Sequence, residues 1–296
     1  MQTPAPVDYV RATSVADALS LLQQHGDEAR LLAGGHSLLP MMKLRLARPE
    51  ILVDINDLDE LRGIRVDGNE IVIGAMVTHA EILNSPILFE HYPIFREAEK
   101  VIADPIVRNK GTMGGSMCQA DPAEDLSAVG AALRGTVVIQ NAEGRRTVAM
   151  REFHEGPYET KVADGEILVE VRYPILPGSG SAYEKVERRS GDWAVCAAGA
   201  CVTISGGVFS SVGIGIGAVN AEHFTATGAE AFLVGKEPTA ENIATAAQMA
   251  ADSCDPSADQ RGPADYKKHL AMELTKRALT RAAAAAVAVH LTKNGA

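Results

Sequence analysis

Apolar residues near the start of the chain recur at helical spacing. In SVADALSLLQQHG, Val15, Leu19 and Leu22 share one face and Ser14 stands before them with Asp17 three residues on, so the pattern predicts a capped helix ending at Gly26. ARLL, running into a glycine pair, and ILVDI at 51–55 predict strands, which makes a small β-α-β opening. LRGIRVDGNEIVIGA alternates about Asp67-Gly68 and predicts a hairpin, and THAEIL from Thr78 predicts a capped helical turn before Ser85-Pro86. LFEHYPIFREAEKVI keeps its helical spacing through Pro93, whereas ADPIVRNKGTMGGS carries too many breakers for regular structure and predicts a loop. AEDLSAVGAALRG restarts a helix, with Asp121, Glu124 and Asp125 just before and within its first turn, where acids complement the dipole. TVVIQ, a turn at 141–144 and EILVEVRYP at 166–174 add strands.

Pro174 to Ser181 combines Pro, Gly and Ser as linkers do, and a domain boundary is expected there. Beyond it AYEKVE, WAVCAAGACVTI and VFSSVGIGIGAV predict a three-stranded antiparallel meander, small-residue-rich on both faces. Three helices follow: Ala226 to Val234, Thr239 to Ala251 with Thr239 as cap, and an alanine-rich one from Pro263 to Leu291. No repeat of solenoid period is present.

The 296 residues suffice for about two domains of roughly 150 residues. A formal charge of -10 disfavours phosphate backbones and anionic lipid, so nucleic acid is not an expected partner. No apolar run reaches the roughly 18 residues of a membrane span, and MQTPAPVDYV does not read as a secretory leader, which makes the cytoplasm the expected compartment. Cys118, Cys196, Cys201 and Cys254 lack metal-ligand spacing and read as reduced, mostly buried thiols.

Candidate chemistry centres on two glycine-bearing segments. Ala33-Gly34-Gly35-His36-Ser37 follows a strand, and Thr112-Met113-Gly114-Gly115-Ser116 repeats its grammar about eighty residues on. Paired glycines let backbone N–H groups approach an anion, and two such loops suit one pyrophosphate, with Ser37 as a hydroxyl donor. Singly, each is more often a tight turn. The G-x-G-x-x-[GA] match at Gly213, Gly215 and Ala218 lies within an alternating strand pattern and is read as close sheet packing. His36 is read as a hydrogen-bonded loop histidine; Asp125 suits either a ribose or ribityl hydroxyl or the helix dipole; Trp193 suits either a stacking platform or a core anchor. Lys267, Lys268, Lys276, Arg277 and Arg281 read as a solvated face or a dock for an acidic partner. No hydrolase motif and no clustered metal set occurs, so any chemistry belongs to a cofactor.

These residues resemble the FAD-binding medium subunits of the molybdenum hydroxylases, over essentially the whole chain. LLAGGHSLLPMMKLRLARPEILVDI, VIGAMVTHAEI, IADPIVRNKGTMGGS, AYEKVERRSGDWA and DQRGPADYKKHLA look most like the carbon monoxide dehydrogenase branch. The resemblance implies an α+β fold: a two-lobed PCMH-type (vanillyl-alcohol-oxidase-like) FAD-binding domain over 1–177, then a domain of three antiparallel strands and a helical bundle over 178–296. It implies that 33–37 and 112–116 wrap the pyrophosphate of a non-covalent FAD with N–H and hydroxyl donors, that Asp125 lies along the ribityl or ribose, that Leu168 packs near the isoalloxazine, and that Lys185 lies in the segment returning to the ring. Trp193 stands where related chains often carry tyrosine, keeping an aromatic face without a phenol, and Ser116 replaces a frequent asparagine. The chain is then an electron relay with no catalytic or metal-ligating residue of its own. A large subunit with the molybdenum cofactor, where CO and water become CO2, and a small iron–sulfur subunit with [2Fe–2S] clusters complete a dimer of heterotrimers. A quinone or another respiratory carrier is the implied acceptor, with the inner membrane face reached through a partner. A sister aldehyde, purine or N-heterocycle dehydrogenase, a self-contained flavin oxidase and an FAD-less docking module are the alternatives.

Overall fold

The computed structural model describes residues 3–294, with side chains through 288. The first lobe is a parallel sheet of β1 (Asp8–Arg11), β2 (Ala29–Leu32) and β3 (Ile51–Asp54) in the order β1-β3-β2, with α1 (Val15–His25) and α2 (Leu38–Lys43) between strands. Ser14 caps α1 by accepting from the Asp17 N–H, and Gly26 ends it with φ 51°. Asp17 turns its carboxylate to the N–H and hydroxyl of Thr13, so only half of a capping box forms. β1 was not anticipated; it is four residues long and mostly exposed, so its burial pattern is too weak to read.

The second lobe is an antiparallel sheet built on the hairpin β4 (Ile64–Asp67) and β5 (Glu70–Gly74), with β6 (Thr136–Gln140) and β7 (Arg145–Ala149) reached later in the chain. A ribbon of β8 (His154–Gly156) and β9 (Glu159–Thr160) precedes the long β10 (Ile167–Pro174), which inserts centrally to give β4-β5-β10-β6-β7. Ile167 and Val169 of β10 join the core under the first lobe, and the bulge between Leu168 and Glu170 shifts the alternation, so that Leu168, Val171 and Tyr173 join the core on the other side.

Helices on that second side are short because prolines punctuate them. α3 (His79–Asn84) has a full capping box between Thr78 and Glu81. The expected single helix across Pro93 is instead α4 (Pro86–His91) and α5 (Pro93–Val101), because proline lacks the N–H a helix interior needs and sits at N1 of a new helix after Tyr92. The expected loop before Ser116 is also corrected: it contains α6 (Pro105–Arg108) and enters α7 (Met113–Gln119), which Thr112 caps. α8 (Asp125–Ala132) is buried along its whole length, and α9 (Met150–Phe153) packs beside it.

The remaining chain forms the meander β11 (Gly180–Val186), β12 (Cys196–Ser205) and β13 (Val208–Gly217). α5 and α8 lie against one face, and α12 (Ala264–Asn294) with α10 (Thr227–Leu233) and α11 (Ala240–Asp252) form the bundle on the other side. Gly213 and Gly215 are the close-packing glycines expected: a Cβ on either would fall 2.0 and 1.8 Å from the carbonyl oxygens of Ala132 and Ala128 in α8. Of the basic residues on α12, Lys267 is buried against Asp259 and so does not belong to a solvated face, while the exposed Arg281 pairs with Glu97 and Glu184.

Candidate functional site

A cavity of about 1020 Å³ opens between the lobes, lined by every one of the fourteen candidate residues except Met113. The Gly34 to Ser37 segment runs from the end of β2 into α2. Gly35 takes φ 75°, a region costly for residues with a Cβ, and Gly34 approaches the second segment so closely that a Cβ would lie 2.0 Å from the Lys110 carbonyl oxygen. The loop base is held by Asn56, whose Nδ2 donates to the carbonyls of Leu32 and Ala33. No hydrogen bond within the described residues uses the N–H of Gly34, Gly35, His36 or Ser37, and Ser37 makes no side-chain cap bond to α2. His36 is exposed. Unpaired amides along a cavity wall are where an acidic or phosphate oxygen would be received.

The second segment differs from its expected role. The amides of residues 113–116 are already committed: Met113 donates to the Val77 carbonyl and Gly114 to that of Ala75, each at 2.8 Å, Gly115 to the Thr112 hydroxyl at 3.1 Å and Ser116 to the Thr112 carbonyl at 2.9 Å. Met113 is wholly within the core, and Gly114 is glycine because a Cβ would meet that of Ala75 at 2.7 Å. The Ser116 hydroxyl donates to Glu124 at 2.6 Å, which leaves it an acceptor toward the cavity. The segment supplies a closely approached wall, and the first loop supplies the free donors.

Asp125 and Lys185 are brought together. Lys185 Nζ lies 2.9 Å from Asp125 and donates to the Val101 carbonyl, and the Tyr183 hydroxyl donates to the other Asp125 oxygen at 2.6 Å. Burial raises the Asp125 carboxyl to about 6, against the opposing pull of Lys185 and Tyr183. Leu168 is buried in the apolar wall at the bulge of β10. Trp193 is 42% exposed at the cavity, which removes the core-anchor reading.

Asn56, Tyr183 and the buried pair His79 with Glu99 escaped sequence reading, and Glu124 was read only as an acid complementing the helix dipole. Glu124 accepts from Ser116, Ser127 and the amides of Leu126 and Ser127, so it fastens α7 to the start of α8. Tyr183 was legible in principle, since the strand period of two places it on the same face as Lys185. His79, Asn56 and Glu99 carry no local signal, because their partners are distant in sequence. Among the described residues, no group of three or more His, Cys, Asp or Glu is placed to hold a metal, and no helix is long and apolar enough to cross a membrane.

Residues 5–176 match the family described as the FAD binding domain in molybdopterin dehydrogenase, and residues 181–282 match the CO dehydrogenase flavoprotein C-terminal domain. The chain is 43% identical to the carbon monoxide dehydrogenase medium chain of Hydrogenophaga pseudoflava over 94% of its own length and 98% of that chain. It is 34% identical to the glyceraldehyde dehydrogenase medium chain of Sulfolobus acidocaldarius, over 93% and 98%. Among solved structures it superposes on a chain of the Hydrogenophaga pseudoflava carbon monoxide dehydrogenase that lacks the Mo-pyranopterin moiety, with TM-score 0.93 and 45% identity, covering 96% of this chain and 99% of that one.

Proposed function

Because the chain belongs to the family of FAD-binding medium chains of molybdopterin dehydrogenases, and is thus an oxidoreductase subunit, we propose that it is the electron-transfer subunit of a carbon monoxide dehydrogenase-type enzyme. Partner subunits carry the molybdenum cofactor and two [2Fe–2S] clusters in a dimer of heterotrimers, and a quinone or another respiratory carrier takes the electrons. The observation that carries the reading is the row of unpaired amides at Gly34 to Ser37 on the wall of a cavity of about 1020 Å³, near the upper end of small-molecule sites. These residues fit FAD. The amide row and the Ser37 hydroxyl would receive the diphosphate, Asp125 would accept from ribityl or ribose hydroxyls, and Leu168 with the exposed face of Trp193 would border the ring. Thr112, Gly115 and Ser116 close the opposite wall, with Met113 and Gly114 shaping it from behind. Bound there, FAD supplies a centre that accepts electrons singly and releases them singly or in pairs. The chain's own work is to hold that centre, orient it and keep its charged groups paired.

The division at 177/178 gives a cofactor domain followed by one that returns Lys185 and Trp193 to the same cavity. A sister reading, the medium chain of an aldehyde dehydrogenase of the same class, is favoured by the likeness to the Sulfolobus chain. The test is the content of the complex that copurifies with the tagged chain from its native host: about one FAD, four irons and one molybdenum per chain are expected. Flavin without either metal would point to a self-contained oxidase, and no flavin to a docking module. Oxidation of CO against aldehydes by the same material separates the two substrate readings.

A further inference from the structure

His79 lines the cavity although only 5% of its surface is exposed, and it makes an ion pair that the relay does not require. Its Nδ1 lies 3.0 Å from the carboxylate of Glu99, which is fully buried on α5. The other ring nitrogen, Nε2, has no hydrogen-bond partner among the described residues. That edge is uncovered because position 111 is glycine: a Cβ on Gly111 would sit 2.8 Å from His79 Cδ2 and 3.3 Å from Nε2. Gly111 is also the residue against which Gly34 packs, a Cβ at 34 falling 2.9 Å from the Gly111 Cα. Gly111 therefore stands next to both the imidazole and Gly34, the first residue of the free-amide row.

We propose that His79 is the buried cation of this anion site, held in place by Glu99 and opened to the cavity by Gly111, and that it supplies positive charge opposite the cofactor's diphosphate. The proposal rests on the FAD reading given above. His79 is paired with Glu99 through Nδ1 alone, whereas Lys185 is held by Asp125, Glu187 and the Val101 carbonyl, Arg108 of α6 donates to the carbonyls of Ile102 and Ala103, and Arg30 and Arg189 are exposed. The groups facing His79 are Glu99 from α5 and, at longer range, Glu124 and Asp125 at the start of α8. Burial is the largest influence and opposes a charged ring, but Glu99, with Glu124 and Asp125 at longer range, together hold the imidazole above the ordinary histidine value, while burial also raises the Glu99 carboxyl. A diphosphate stays dianionic through the neutral range, so a pH dependence of its retention reports the protein.

The test is the rate at which the intact complex releases FAD on dilution, followed by flavin fluorescence from about pH 5.5 to 9. The expected result is slow release at the acid end and a rise of about tenfold as the imidazole loses its proton. His79→Gln should release fast throughout, with the rise abolished. Glu99→Gln, which keeps shape and removes the countercharge, should move the rise to lower pH, and it decides the matter if His79→Gln retains too little FAD to measure. A flat wild-type profile, a rise retained in His79→Gln, or a rise unmoved in Glu99→Gln overturns the proposal. A wild-type complex holding no flavin overturns the FAD reading itself, and is recognised before any variant is made.

Discussion

Burial and partnership pull Asp125 in opposite directions. Desolvation favours its neutral form more than Lys185 and Tyr183 favour the anion, so its carboxyl titrates near 6 in the folded chain against 3.8 for the ordinary side chain. Between about pH 4 and 6 the folded state holds a proton that the unfolded state has released. Stability from this residue is therefore greatest at the acid end and falls as pH rises through the window. Measured as the difference between wild type and Asp125→Asn in urea unfolding at pH 4, 5 and 6, the wild type should lose ground steadily. A constant difference would show that Lys185 compensates fully. At this scale the site was partly legible. The glycines of both loops were found, but the reason for Gly34 and Gly114 was not: they are fixed by Lys110 and Ala75, and a sequence does not display which distant backbone passes within contact distance. The same limit hid His79, whose partner Glu99 lies twenty residues on and in another helix.

Elements sit where they do because caps and prolines fix their ends. Helices with local signals, α1 with Ser14, α3 with its capping box and α11 with Thr239, were readable to within a residue. α7 was not, because its start reads as Gly-Thr-Met-Gly-Gly-Ser, and the helix forms only since Thr112 caps it while Val77 and Ala75 take its first amides. Strands β1 and β7 are short and mainly exposed, and their ladders are set by β3 and β6. Glu124 links two elements. It caps α8 through two amides and takes the hydroxyls of Ser127 and Ser116, the latter from α7. Glu124→Ala should cost about 2–3 kcal/mol, above a single cap of about 1 kcal/mol, since several buried donors lose their acceptor together. Ser116→Ala should cost about 1 kcal/mol. Chemical denaturation of both variants checks the ratio, and equal costs would mean that the α7 contact, not the cap, dominates.

At the scale of the molecule, the cavity depends on two domains staying in register, because Lys185 and Trp193 come from the second while the amide row belongs to the first. Apolar packing joins them through a core that includes Tyr183, Ala194, Ala197 and Cys201, but packing is tolerant of small rotations. Direction comes from Glu230 on α10. Its carboxylate accepts from Arg151 on α9, from Arg134 just after α8 and from the Ile214 N–H of β13, with distances of 2.6–2.9 Å. Arg134 is half exposed and can turn to water; Arg151 is largely buried and cannot. Removing the carboxylate therefore leaves one buried guanidinium without its countercharge, held only by the Ala131 carbonyl, and one buried amide without its acceptor, and Glu230→Ala should cost about 3–5 kcal/mol. Glu230→Gln, which keeps an acceptor for the amide, should recover part of that. Glu230 does not line the cavity, yet the complex carrying Glu230→Ala should lose FAD on dilution faster than wild type, because the clamp fixes the angle at which β11 delivers Lys185 to Asp125. Lower thermal stability with wild-type FAD release would show that the apolar core alone sets that angle, and that the two arginines serve folding without serving the site.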